Sequence, residues 1–324
     1  LAVNGFSATS VNVDLSNQTA TGEATGNDAV INVENVTTGD GDDFITGDSI
    51  NNVLDGGAGD DDIAGGAGDD TINGSAGDDI LSGDAGDDTI DGGAGDDIAV
   101  YEGSQAEYTF ESSIDGQTIT ITHLSTGDAD TVTGVETLSF GDGDIGVSLD
   151  ENGLVLRGLE GSDNIQIVGD VAVTVLGQDD ADNIAGSSGD DIIEGGAGND
   201  VIDGGAGADT LSGDAGDDII DGGVGDDIAV FNGILEDYTF ASSPDGLTLT
   251  ITDTNLGDVD TVKNVETLRF ADADISVSLN ETGNRMVLTG TSDADSITVV
   301  GDVGIEVRGT GGADVLDGGL GADV

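Results

Sequence analysis

Residues 65–73 read GGAGDDTIN, and residues 83–91 repeat the arrangement as GDAGDDTID. Both stretches place two adjacent carboxylates in a glycine-rich turn and follow them with a short apolar segment. The nine-residue unit recurs in register, seven times from Thr38 to Val100 and six times from Gly177 to Val230. Of these thirteen units, twelve begin with Gly, eleven have Gly at the fourth place, twelve have Asp at the sixth and eleven have Ile or Leu at the eighth. Self-similarity at a short fixed period indicates a solenoid.

Each place in the unit has its own physical role. Glycine at the first and fourth places permits tight turns and lets neighbouring turns approach closely. Places seven to nine predict a three-residue strand whose eighth residue points inward, because side chains alternate across a strand. Two units then make one coil of a flattened solenoid with a thin core of stacked Ile and Leu. The sequence therefore predicts an all-β fold, a parallel β-roll or β-solenoid.

The charge of the chain narrows the choice of partners. Its 324 residues include 68 Asp plus Glu against 5 Lys plus Arg, for a net charge of −63. A charge of this size opposes a compact state unless cations neutralise it. Composition alone would also allow an acidic disordered tail, but the strict repeat argues against one. We expect no nucleic-acid partner, and no apolar run approaches the roughly 20 residues of a membrane-spanning helix, so we expect no direct membrane insertion.

The stacked turns predict a metal site. They would bring sixth-place carboxylates of units two apart together on one edge, and neither array contains Lys or Arg, which leaves the edges to the metal. Cysteine is absent, which excludes thiolate ligands and disulfides. Rows of carboxylate and carbonyl oxygens suit Ca²⁺, which takes about 6 to 8 oxygen ligands in flexible geometry, whereas Mg²⁺ demands a tight octahedron. We therefore predict multiple Ca²⁺ ions as cofactors, about five of them in the first array.

The units resemble the repeats-in-toxin family, also called hemolysin-type calcium-binding repeats, with the pattern G-G-x-G-x-D-x-(Leu/Ile)-x. GGAGDDTIN (65–73) and GGAGNDVID (195–203) match that pattern place for place. The resemblance implies a parallel β-roll with Ca²⁺ between successive turns. It also implies export through a type I secretion system, and so an extracellular or cell-surface location.

The resemblance further implies a set of metal ligands at the sixth place of each unit. In the first array these are Asp43, Asp61, Asp70, Asp79, Asp88 and Asp97. In the second array they are Asp182, Asp191, Asp200, Asp209, Asp218 and Asp227, and in degenerate turns outside the arrays they are Asp163, Asp295, Asp314 and Asp323. Two departures predict weaker sites: Asn52 replaces a sixth-place Asp, and Asp180 replaces a fourth-place Gly.

The chain is organised as a super-repeat of about 130 residues, because TVTGVETLSF (131–140) returns as TVKNVETLRF (261–270) at an offset of 130. The predicted segments are a β-rich run-in (1–37), calcium array 1 (38–100), β-rich module 1 (101–157), degenerate solenoid turns (158–176), calcium array 2 (177–230), β-rich module 2 (231–289) and the start of an incomplete calcium array 3 (290–324). Hairpin turns are predicted at Ser113–Gly116 and Ser243–Gly246. Aromatic residues should form small cores that cap each roll: Tyr101, Tyr108, Phe110 and Phe140 in one module, and Phe231, Tyr238, Phe240 and Phe270 in the other.

Catalysis is not predicted. The paired carboxylates are periodic and interchangeable, and His123 is the only histidine and lacks a partner for acid–base chemistry. A lattice-binding face would need regular outward Thr rows, but the seventh places are mixed. Outward Phe44, Ile80, Ile98 and Val100 instead favour lateral packing or self-association into a lattice or filament.

The predicted function is a calcium-binding structural segment of a large secreted or cell-surface protein, such as an adhesin stalk, surface layer or extracellular filament. It would fold and rigidify on Ca²⁺ binding outside the cell. The alternative is a C-terminal secretion and folding module of an exported hydrolase or toxin whose active domain lies elsewhere. The number of 130-residue units in the full-length sequence would discriminate the two.

Overall fold

A computed structural model describes residues 9–22, 26–150, 153–159, 161–279, 285–301 and 304–318. It divides the chain into two compact units, Leu1–Leu156 and Arg157–Val324. The regular secondary structure of the described residues is β-strand, apart from short 3-10 helices at Gln105–Glu107 and Leu235–Asp237. The predicted ligand Asp323 and the last part of the predicted third array lie outside the described residues.

The described part of the first unit contains the following strands in chain order. They are β1 (Val11–Asp14), β2 (Thr19–Gly22), β3 (Gly26–Ala29), β4 (Asn35–Thr37), β5 (Phe44–Thr46), β6 (Val53–Ala58), β7 (Asp62–Ala64), β8 (Thr71–Ala76), β9 (Ile80–Ser82), β10 (Thr89–Ala94), β11 (Ile98–Val100), β12 (Tyr108–Ser112), β13 (Ile119–His123), β14 (Ala129–Thr133), β15 (Thr137–Phe140) and β16 (Gly143–Leu149). Strand β17 (Leu154–Gly158) spans the boundary between the two units.

The array of the first unit is a parallel β-solenoid with two nonapeptides per coil, as predicted. Strands alternate between two parallel ladders, β4-β6-β8-β10 and β5-β7-β9-β11. Eighth-place residues 18 apart pair directly, for example Ile45 with Ile63 and Leu54 with Ile72. These inward side chains are at most 1% exposed along the array. Their stacking builds the thin apolar core that the pattern predicted.

The predicted strand length is correct on one ladder and wrong on the other. Strands β5, β7 and β9 have three residues, but β6, β8 and β10 have six and run on through the glycines. The extra pairs form because places two and three stay in register with the next coil, as Gly57 with Ser75 and Ala58 with Ala76. The turn backbone is therefore part of the sheet on that ladder.

The run-in and the module both attach to the roll by main-chain pairing. Strand β1 pairs in parallel with β5 and antiparallel with β2. In the module, β14 and β15 pair in parallel with β10 and β11, so the roll continues for one more coil. The hairpin β12-β13 precedes that coil, and its turn is closed by the Gly116 N–H donating to Ser113 O at 2.8 Å.

The predicted aromatic cluster forms beside that coil. The rings of Tyr101, Tyr108 and Phe110 lie 5.4, 5.2 and 6.0 Å from the ring of Phe140, centroid to centroid. Among the predicted outward apolar residues, Phe44 is 52% and Ile80 45% exposed, whereas Ile98 is half-buried.

The second unit repeats this architecture. Its strands are β18 (Asn164–Val168), β19 (Thr174–Asp179), β20 (Asn183–Ala185), β21 (Ile192–Ala197), β22 (Val201–Asp203), β23 (Thr210–Ala215), β24 (Ile219–Asp221), β25 (Ile228–Val230), β26 (Tyr238–Ser242), β27 (Leu249–Asp253), β28 (Val259–Lys263), β29 (Thr267–Arg269), β30 (Asp274–Leu279), β31 (Met286–Thr289), β32 (Ser296–Val299), β33 (Glu306–Arg308) and β34 (Val315–Asp317). Strands β28 and β29 continue the two ladders in parallel, and β31-β33 and β32-β34 pair in parallel again after the module.

Candidate metal centre

The sixth-place carboxylates lie beneath the turn surface. All twelve sixth-place Asp of the two arrays are at most 2% exposed. They are placed there by the inward eighth residue two positions later, which anchors each strand in the core. The predicted rows of carboxylates therefore exist, and they are buried inside the two edges of each roll.

One oxygen of each carboxylate joins neighbouring coils. The backbone N–H of Asp61 donates to Asp79 Oδ1 at 2.8 Å, and that of Asp70 donates to Asp88 Oδ1 at 2.7 Å. In the second unit the Asp200 N–H donates to Asp218 Oδ1 at 2.8 Å. Along each row a sixth-place Asp thus caps the backbone amide 18 residues earlier. The exceptions are Asp43, which accepts the Val11 N–H, and Asp182, which accepts the N–H of Asp163, 19 residues earlier.

The other oxygen of most of these carboxylates is buried without a hydrogen-bond partner. Among the described residues this holds for Oδ2 of Asp61, Asp70, Asp79, Asp88, Asp97, Asp182, Asp200, Asp209, Asp218 and Asp227. Burying an ionised oxygen without a partner is costly. These ten atoms, along the edges of the two rolls, mark positions where a cation is required for the ionised form to be stable.

A small cradle, in which a backbone carbonyl oxygen lies near the carboxylate oxygen, is found beside several of these atoms. A Cβ placed on Gly204 would be 2.6 Å from Asp209 Oδ2 and 2.7 Å from the carbonyl oxygen of Gly222. On Gly65 it would be 2.5 Å from Asp70 Oδ2 and 2.8 Å from the Gly83 carbonyl oxygen. Ca²⁺ sits about 2.3–2.6 Å from its oxygen ligands. The residues present therefore fit a hard cation, and only glycine leaves the space for one.

Backbone carbonyls must supply most of the ligands. Within the described ranges, no three Asp, Glu, His or Cys side chains converge on one point. Carbonyl oxygens do line the turns: the Gly92 carbonyl faces Gly74, and the Gly59 carbonyl faces Gly77. Calcium accepts such mixed carboxylate and carbonyl sets.

Burial perturbs the acidity of the row. Desolvation raises the pKa of Asp61, Asp88 and Asp209 to about 7, since their backbone hydrogen bonds only partly offset it and neighbouring carboxylates add to it. The same causes raise the pKa of Asp97, Asp182 and Asp218 to about 6. A cation beside these groups would favour the ionised form instead.

Three predicted ligands differ from the rest, because a local donor already occupies their second oxygen. The Gly39 N–H donates to Asp43 Oδ2 at 3.2 Å, and the Thr291 N–H donates to Asp295 Oδ2 at 2.7 Å. Asp191 Oδ2 accepts both the N–H and the hydroxyl of Ser187. Two of these donors, Ser187 and Thr291, stand at the second place of the unit, where glycine is usual.

The two predicted weak sites behave differently from one another. Asn52 Oδ1 accepts the Asp48 N–H at 2.8 Å, and its Nδ2 is buried without a partner, so a donor group lies where the other units have an acceptor. In the other unit, Asp180 adopts a φ of 70° in place of glycine, and Asp182 keeps its unpartnered Oδ2. Of the outlying ligands, Asp163 is buried and its N–H donates to Asp182 Oδ1 at 2.8 Å, while Asp314 is only partly buried and accepts the Asp295 N–H at 3.2 Å.

Sequence reasoning missed a second ladder, made by the fifth-place residues. The Asp78 N–H donates to Asp60 Oδ1 at 3.0 Å, and the Asp96 N–H donates to Asp78 Oδ1 at 2.9 Å. This ladder caps the following coil, whereas the sixth-place ladder caps the preceding one. The adjacent carboxylates of GDD therefore clamp each turn in both directions. Their signal was the recurrent Asp or Asn at the fifth place.

Two acids of each module, also missed, continue the sixth-place ladder. The Asp88 N–H donates to Asp130 Oδ1 and the Asp97 N–H to Glu136 Oε2, both at 2.9 Å. Asp260 and Glu266 do the same in the second unit, each at 3.0 Å. Their signal is an acid two residues before an inward aliphatic residue, as Asp130 before Val132.

The expectation that no basic side chain reaches an array needs one correction. Lys263 Nζ lies 2.5 Å from Asp221 Oδ2, because β28 pairs with β24 and sets these two residues side by side. Asp221 is a ninth-place residue on the strand surface. The ion pairs of the described residues leave the buried sixth-place row without a basic partner.

Comparison with protein families matched the RTX calcium-binding nonapeptide repeat (4 copies) over residues 37–72, 65–99, 176–211, 198–229 and 306–324. No curated protein matches the chain. Among solved structures, the extracellular lipase LipA from Serratia marcescens is similar at 20% identity and a TM-score of 0.24, over 69% of this chain and 38% of that one. A TM-score this low carries no argument. In the part of the chain that the structure describes, no helix has the length and apolarity needed to cross a bilayer.

Proposed function

The two arrays consist of RTX calcium-binding nonapeptide repeats, and from that premise we propose that the chain is a calcium-folded structural segment of a larger secreted or cell-surface protein. Ca²⁺ would occupy the glycine cradles between coils and hold the two edges of each roll closed. The segments predicted from the sequence then serve as rigid arrays and connecting modules of a repeated stalk, layer or filament.

The observation that carries this proposal is the set of ten buried carboxylate oxygens without hydrogen-bond partners. Each lies beside the first-place glycine of its own unit, so the positions are equivalent along the roll. Equivalent positions in cradles too small for a Cβ favour a structural role over catalysis. The sequence supplies no basic side chains for these positions, so cations from solution must neutralise them.

The location follows from the same chemistry. Sites built from few carboxylates and many carbonyls match extracellular modules, whose calcium affinities lie at about 10⁻⁴–10⁻³ M. At the low free Ca²⁺ of a cytosol the edges would stay charged and the roll unfolded, which suits export of the chain before it folds. Association into a lattice or filament would use the outward Phe44 and Ile80.

The test is a far-ultraviolet circular dichroism titration from metal-free buffer to millimolar Ca²⁺, with Mg²⁺ as the control and sedimentation velocity at both ends. We expect a reversible transition from coil to β structure that is specific to Ca²⁺. Association at the calcium end would support the lattice or filament role. Full β structure in metal-free buffer that Ca²⁺ leaves unchanged would overturn the proposal, since the apolar ladder alone would then hold the fold.

A further inference from the structure

The unpartnered carboxylate oxygens of the first array do not lie at the positions that the repeat pattern predicts. Seven units stacked two apart offer five pairs of sixth-place residues, beginning with Asp43 above Asp61 and ending with Asp79 above Asp97. At the first two of these positions no carboxylate oxygen is free. The Gly39 N–H donates to Asp43 Oδ2, and Asn52 has an unpartnered Nδ2 in place of a carboxylate oxygen. The structure adds two positions at the other end, where Asp88 and Asp97 each keep an unpartnered Oδ2.

Those two added positions face the module. Asp97 is fully buried, and the Gly92 cradle beside it is lined by Asp97 Oδ2 and by the carbonyl oxygen of Gly134. The next carboxylate along this edge is Glu136, which receives the Asp97 N–H as any following sixth-place Asp would. On the opposite edge the equivalent residue is Asp130, which is only 7% exposed and whose Oδ1 accepts the Asp88 N–H.

The second unit has the same arrangement. The cradle of Gly222 is lined by Asp227 Oδ2 and the Asn264 carbonyl oxygen, and Glu266 receives the Asp227 N–H. Asp260, 8% exposed, stands above Asp218, whose Oδ2 is also unpartnered. Because the turn 134–136 has three residues where the array turn 92–97 has six, carbonyls are fewer, and a side-chain carboxylate is needed to complete the oxygen set.

We propose that each row of cation sites continues past the repeats into the module, where Asp130 and Glu136, and Asp260 and Glu266, act as ligands of a terminal divalent cation on each edge. This rests on the proposed function of the arrays and adds four ligands outside the nonapeptide matches of the two arrays, which end at residues 99 and 229. The terminal ions would bind each module to its roll, so that array and module fold as one unit.

The test compares the parent chain with the variant Asp130→Asn, Glu136→Gln, Asp260→Asn, Glu266→Gln by equilibrium dialysis with ⁴⁵Ca²⁺. The amides still accept the backbone N–H bonds, so only the ligand charge changes. We expect four fewer ions at saturation of the remaining sites, or four sites weakened by about tenfold or more, since calcium affinity follows the ligand charge count. Glu111→Gln, an exposed acid of the same module, is the control and should match the parent.

A second measurement needs no variant. In the parent chain labelled with ¹³C and already folded in Ca²⁺, replacement of Ca²⁺ by a paramagnetic lanthanide ion should broaden the side-chain carboxyl resonances of Glu136 and Glu266, and should broaden that of Glu111 far less. Unchanged resonances, or a quadruple variant with the stoichiometry and affinity of the parent, would overturn the inference while the arrays still bind. A chain that binds no Ca²⁺ at all would instead overturn the proposed function.

Discussion

At the scale of single residues, the two oxygens of a sixth-place Asp have different tasks. Oδ1 of Asp79 accepts the Asp61 amide, and Oδ2 is buried beside Gly74 without a partner. The hydrogen bond stabilises the fold with or without metal. The second oxygen stabilises it only when a cation is present, because burial raises the pKa of this carboxyl.

Substitution Asp79→Asn should therefore have opposite effects in the two conditions. In Ca²⁺ it should weaken binding and lower the melting temperature. In metal-free buffer it should stabilise the folded form by about 1–3 kcal/mol, because a buried unpaired charge is removed. Thermal melts in Ca²⁺, and the folded fraction in metal-free buffer measured by far-ultraviolet circular dichroism, check this. Asp62→Asn, at the exposed seventh place, is the control, and an equal response of both variants would contradict the assigned role.

We expect cation binding to require glycine at the first place of the unit, because a side chain there would fill the cradle. A Cβ on Gly74 would collide with Asp79 Oδ2 and with the Gly92 carbonyl. We expect Gly74→Ala to destabilise the folded chain by about 1–3 kcal/mol through overpacking and to reduce the number of bound ions by one. Calcium stoichiometry and urea unfolding measure the two effects. Asn73→Ala, one residue earlier, should change neither, and a Gly74→Ala variant with full stoichiometry would show that the cradle is not the site.

At the scale of elements, each coil contributes one short strand to each ladder, so the core is a single row of side chains per ladder. Leu81 is fully buried in such a row, and its neighbour Ile80 is 45% exposed on the outer face of the same strand. Solenoid stability is approximately a sum of contributions from neighbouring coils. Loss of one core side chain should therefore be felt by the coils on both sides.

We expect Leu81→Ala to lower the free energy of unfolding in saturating Ca²⁺ by about 2–5 kcal/mol, and Ile80→Ala to change it by about 0.5 kcal/mol or less. Urea titrations monitored by circular dichroism provide the comparison. Similar losses for both variants would mean that the two faces of β9 are not distinguished as core and surface.

At the scale of the whole molecule, the excess of carboxylates makes stability depend on pH and metal together. The raised pKa of Asp61, Asp88 and Asp209, about 7 in the folded chain, means that between about pH 4 and 7 the folded form holds more protons than the unfolded chain. Without metal, this contribution to stability is complete below the unfolded pKa and is lost as the pH rises through the folded pKa.

In metal-free buffer the folded fraction should therefore decrease as the pH is raised from about 4.5 to about 7.5, on either side of about 6 to 7 where the buried groups titrate. In millimolar Ca²⁺ the order should reverse, because protons compete with the cation for the same oxygens. Far-ultraviolet circular dichroism at both pH values with and without Ca²⁺ tests this. A metal-free chain that becomes more stable as the pH rises would show that the buried row is not the dominant charge effect.

The sequence by itself determined the repeat, its register and its core. Glycine, aspartate and aliphatic residues recur at fixed places, and a period of nine with one inward residue per strand has one simple solution, two units per coil. The buried Ile63 and Leu81 follow directly from that pattern. The aromatic cluster around Phe140 and the hairpin turn at Ser113 also follow from local signals.

Only the tertiary structure decided which of the predicted ligands keep a free oxygen. Whether a carboxylate is satisfied depends on a donor from its own turn, as with Ser187 and Asp191, or on what stacks above it, as with Glu136 and Asp97. The donor from the same turn depends on which way the backbone N–H of the unit's second residue points. What stacks above the carboxylate depends on the module returning 39 residues later to continue the roll. A nonapeptide pattern contains neither relation, because both arise from the stacking of coils in space.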